Sequence, residues 1–71
     1  MAYNVIIFSS VTYALKAQGV YEREGIRSKI EKLKKEQSLH GCGYGLKVMN
    51  SDILRARELA ERERIKIVDI L

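Results

Sequence analysis

The order of elements in this chain predicts an α+β domain: one four-stranded antiparallel sheet with two helices on one face. Three observations predict it. The run "YNVIIF" is rich in β-branched and aromatic residues, and "GYGLKV" sets Tyr44, Leu46 and Val48 on one face of a strand. Each run is followed by a polar capping residue and then a stretch of helical period. Each helical stretch leads into a further strand-like run, "IRSKIEKL" or "IKIVDI". A βαββαβ order packs most economically as the ferredoxin-like split βαβ, with the first and third strands as central antiparallel neighbours.

Taken in order, residues 3 to 8 form the first strand, apolar on both faces: Val5 and Ile7 on one, Ile6 and Phe8 on the other. Ser9 and Ser10 suit a helix N-cap, because a hydroxyl can accept from a free N–H of the first turn. From Val11 to Glu24 the period is helical, with Val11, Ala14, Ala17 and Tyr21 sharing a face and Gln18 beside them. Gly25 then provides the left-handed residue of a helix end. Residues 26 to 33 alternate, with Ile26, Ser28 and Ile30 on one side and charges on the other. Residues 34 to 41 are polar, lack a period and read as a loop. In the third strand, residues 43 to 48, Tyr44, Leu46 and Val48 share a face. Asn50 or Ser51 caps the second helix, whose buried stripe is Ile53, Ala56 and Ala60 with Leu59 at the margin; Glu58 and Arg62 form an outward i, i+4 pair. Residues 65 to 70 form the last strand. No internal repeat, linker or low-complexity segment is evident.

At 71 residues the chain has room for one domain, residues 1–71, with a thin core. Its 46% hydrophobic and 31% charged composition fits a soluble globular domain and not a disordered segment. No stretch approaches the ~20 apolar residues of a membrane helix, and the first apolar run lacks the basic start of a signal peptide. The expectation is a cytoplasmic protein with no membrane partner. A single cysteine excludes an internal disulfide and fits a reducing compartment. One Cys and one His also fall short of the four ligands of structural zinc. The net charge of +4 permits an anionic partner without demanding one.

The segment "SLHGCGYGLKV", residues 38 to 48, holds both Cys42 and His40. The predicted topology sets Cys42 just before the third strand, at the end of the sheet where Ser9, Ser10 and the first helix begin. A helix N-terminus carries about half a positive charge, which would stabilise a thiolate. Lys34, Lys35 and His40 would add to that field. Flanking glycines remove steric cover from the sulfur. The competing reading is a buried structural cysteine, the commonest fate of an unpaired one. A Cys–His hydrolase lacks a third, orienting residue at any recognisable spacing. A phosphate loop is excluded, because the glycines precede a strand and no Gly-Lys-Ser/Thr follows.

These pieces resemble a family of small bacterial proteins, the selenium/sulfur carrier-like proteins. The resemblance covers nearly the whole chain: "IIFSS" leading into "YALKAQGVYEREGI", then "SLHGCGYGLKV", then "ILRARELAERERI". Its most specific element is the Cys42–Gly43 pair. The resemblance implies that Cys42 bears sulfur or selenium covalently, with Gly43 beside it and no separate cofactor. It also implies donor and acceptor proteins as partners, and a carrier or accessory role rather than an enzymatic one. The chain departs from the family pattern in having no proline ahead of the Cys-Gly pair; "KKEQ" occupies that region.

Two other classes of function compete. A protein–protein adaptor, or a homodimer, would use the sheet face that the helices leave open, where the apolar first strand surfaces. RNA binding is the weaker alternative. Gly43, Tyr44 and Gly45 match part of the RNP1 pattern, but Cys42, Leu46 and Met49 replace its basic and aromatic residues. Stacking on RNA would require two or three aromatics together on the open face, Tyr44 with Tyr3 or Phe8.

Overall fold

In the computed structural model, which describes residues 3–34 and 43–71, the chain runs β1 (Tyr3–Phe8), α1 (Val11–Arg23), β2 (Ser28–Lys32), β3 (Tyr44–Met49), a 3₁₀ turn (Asn50–Asp52), α2 (Ile53–Arg62) and β4 (Ile67–Ile70). The four strands form one sheet in the order β2-β3-β1-β4, with every pairing antiparallel. This is the ferredoxin-like topology. β1 and β3 are central, in register from Tyr3 opposite Met49 to Ile7 opposite Gly45. β4 pairs with β1 through an irregularity beside Ile7 and Phe8.

Alternation along the central strands divides the sheet into two faces. Ile6, Phe8, Leu46 and Val48 point toward the helices and are fully buried with Ala14, Ala17, Ala56 and Ala60. The four alanines keep the helices close to the sheet, where a larger side chain would hold them off. Tyr3, Val5, Ile7, Gly45, Lys47 and Met49 lie on the opposite, open face. Gly45 is required there: a Cβ would stand 2.6 Å from Val5 Cγ1 and 2.9 Å from the Ile6 carbonyl oxygen.

α1 starts where Ser10, in extended conformation, accepts from the Tyr13 N–H at 3.1 Å. Its buried arc is Ala14, Ala17, Val20 and Tyr21, whereas Val11 is 43% exposed. At about 100° per residue that arc centres between Ala17 and Tyr21, and Val11 falls outside it. In α2, Leu59 is fully inside with Ala56 and Ala60, and Ile53 is half-buried. The polar residues ahead of α2 form the 3₁₀ turn and supply no side-chain cap. Arg62 reaches back to Glu24 at 3.6 Å rather than to Glu58, beside an Arg55–Glu24 pair at 2.7 Å. β2 begins two residues later than its alternation suggests. The Ile26 N–H is taken by the Tyr21 carbonyl at 2.8 Å, so this residue closes the helix and does not join the ladder.

The two helices are also joined through their core. The Tyr21 hydroxyl donates to the Ala56 carbonyl at 2.9 Å. Burial pushes that hydroxyl up from 10.0 to about 12. An ionised phenol could not donate this bond, so the neutral form is the one the core holds.

Candidate functional site

The end of the sheet where β1 finishes is built from three segments. Ile7 pairs with Gly45, which brings the start of β3 alongside the exit from β1. Ser9 and Ser10 follow that exit, Ser9 exposed and Ser10 half-buried as the α1 cap. Beyond the β2–β3 pair of Lys32 and Tyr44, the Leu33 N–H donates to the Gly43 carbonyl at 2.9 Å. That bond extends the ladder by a step and holds both flanks of the intervening segment.

Gly43 adopts φ +86, the left-handed region, with nothing within 4 Å of where a Cβ would stand. Its glycine is therefore needed for backbone conformation and not for clearance. Cys42, the next residue back along the chain, lies outside the described residues, as do His40 and Lys35. Of the other residues that the sequence nominates, Gly43, Ser9 and Ser10 are brought to this end of the sheet. Lys34 is exposed beside Leu33.

The electrostatics of this end come from α1. The Ser10 hydroxyl and carbonyl take the Tyr13 and Ala14 N–H groups. The Val11 and Thr12 N–H groups have no intrahelical partner, as in any helix. No acidic residue stands in the first turn to neutralise the dipole. The arrangement favours negative charge near the β1–α1 junction.

The open face does not provide the stacking platform that RNA recognition needs. Tyr44 has the parity of Leu46 and Val48, toward the helices, and Phe8 is fully buried on that same side. Tyr3 is the one aromatic of the described strands on the open face. Among the described residues no helix is long and apolar enough to cross a membrane.

One signal escaped the sequence reading. Lys29 and Lys47 stand directly opposite each other in the β2–β3 ladder. Their juxtaposition depends on strand register, which neither run reveals alone.

Residues 3–71 match the model of a family described as "Putative Se/S carrier protein-like". No curated protein and no solved structure matches the chain.

Proposed function

Because the chain belongs to the Se/S carrier protein-like family, we propose that it carries sulfur or selenium on Cys42, as a persulfide or selenopersulfide. The family match over residues 3–71 carries this reading. Two features support it. Cys42 directly precedes Gly43, which stands at the same end of the sheet as the N-terminus of α1. That helix end has no acidic residue in its first turn to compete for its field.

In the loading step the Cys42 thiolate attacks the outer sulfur or selenium of a donor persulfide or selenopersulfide. The donor's bond to that atom breaks, a new bond to the Cys42 sulfur forms, and the donor thiolate leaves with the electron pair. An acceptor nucleophile later removes the carried atom in the same manner, releasing the Cys42 thiolate. Neither step needs an external oxidant. The α1 N-terminus, Ser9 and Ser10 stabilise the anion, and Lys34, Lys35 and His40 add positive field. Donor and acceptor are proteins, and the chain acts as carrier or accessory and not as an enzyme.

Intact-mass measurement after incubation with a cysteine desulfurase and cysteine tests the reading. The native chain is expected to gain the mass of one sulfur, and Cys42→Ser to gain none. No gain with sulfur or selenium donors would leave the second reading, an adaptor that docks through the open face. That reading draws on the exposure of Tyr3, Met49 and Leu71. A monomeric mass by light scattering at high concentration would remove its homodimeric form.

A further inference from the structure

The open face carries a feature that folding by itself disfavours. Lys29 stands across from Lys47 in the β2–β3 ladder, and like charges directly opposite destabilise a sheet. Arg27 adds a third cation to the same concavity, which has a volume of about 250 Å³ and is completed by Tyr3, Ser28 and Met49. Among the described residues none of these three cations lies within salt-bridge distance of a carboxylate, whereas Arg55 and Arg62 pair with Glu24. The described acids of this face are Glu31 and Asp69, and neither forms an ion pair with these three cations. Glu31 stands opposite Gly45. Asp69 stands opposite Ile7 and accepts the Ile70 N–H at 2.8 Å.

Lys47 holds its ammonium 4.6 Å from the centre of the Tyr3 ring. This cation–π contact steadies the charge without neutralising it. The ammonium retains donors for a further partner.

We infer that this concavity binds a small phosphate monoester. Charge is the first reason. A phosphate monoester carries close to two negative charges at neutral pH, enough to reverse the Lys29–Lys47 repulsion. Geometry is the second. Residues directly opposite in an antiparallel pair have Cα atoms about 5 Å apart, so both ammonium groups can bracket one phosphoryl group. Arg27 adds planar, two-point recognition. Size is the third. The concavity falls below the roughly 300–1,000 Å³ of common ligand sites, which suits a phosphoryl group with a small organic part. Tyr3 and Met49 offer apolar surface for that part. The site lies at the opposite end of β1 and β3 from Gly43, and it stands independently of the chemistry proposed for Cys42.

An amide-resolved NMR titration of the full chain with phenyl phosphate, at constant ionic strength, tests the assignment. Saturable shifts are expected at Tyr3, Arg27, Ser28, Lys29, Lys47 and Met49. Lys29→Gln should weaken binding about ten-fold, the value of one lost charged hydrogen bond, and should melt slightly above the parent because the like-charge pair is gone. Lys29→Arg should retain binding, and Cys42→Ser should bind unchanged. Shifts that do not saturate, or that chloride reproduces, would overturn the site. An equal response to glutamate would replace the phosphate with a carboxylate partner. Binding of single-stranded RNA without binding of phenyl phosphate would overturn it in favour of nucleic acid.

Discussion

α1 ends with Glu22-Arg23-Glu24-Gly25-Ile26, and α2 ends with Glu61-Arg62-Glu63-Arg64-Ile65. The hydrogen bonds are the same. Gly25 and Arg64 donate to the carbonyls of Glu22 and Glu61 at 3.2 and 3.0 Å, and Ile26 and Ile65 donate to those of Tyr21 and Ala60, both at 2.8 Å. Both are Schellman closures, in which the residue after the cap turns left-handed and the next one packs back on the helix. Gly25 has φ +79 and Arg64 has φ 58, and both isoleucines are buried. One exit uses the residue suited to that conformation. The other reaches it with a side chain that resists it, at a cost of roughly 1 kcal/mol. The buried isoleucine and the paired backbone groups evidently outweigh the strain.

Four substitutions break or sharpen that comparison. The largest effect is expected from Ile26→Ala or Ile65→Ala, each costing about 2–4 kcal/mol by denaturant unfolding, because each removes a buried anchor. Similar losses at the two sites would show that both exits are held by their apolar residue. Gly25→Ala comes next, with a cost of about 1–2 kcal/mol. No atom lies within 4 Å of the added Cβ, so the loss would be conformational and not steric. Arg64→Gly is the smallest and has the opposite sign. It should raise stability by about 0.5–1 kcal/mol, since relief of the left-handed strain exceeds the added freedom of the unfolded chain. A destabilised Arg64→Gly would mean that the arginine side chain contributes more than its backbone costs.

The same two exits show what could be read in advance. Gly25 announces a helix end by its identity, and α1 ends there. The recurrence of Glu-Arg-Glu-x-Ile is five residues long, too short to register as a repeat without knowing that both copies terminate helices. The strand order was legible for a related reason: period-two runs and capped helical stretches leave few ways to pack six elements. Val11 and Val20 were less legible, because both are apolar and only the helix's phase against the sheet buries one and exposes the other. At the candidate site, Gly43, Ser9 and Ser10 were nominated from local chemistry and share one end of the sheet. Cys42, His40 and Lys35 fall outside the described residues.

The sequence by itself determined the six elements, their order, the Ser10 cap and Gly25 end of α1 and the cysteine-glycine pair, since each depends on neighbours within one or two turns of chain. Tertiary structure alone decided that Gly45 clears space for Val5, that Tyr21 bonds the α2 backbone, and that Lys29 confronts Lys47. Those relations join residues far apart in the chain, and strand register and helix packing fix them only when the whole sheet closes.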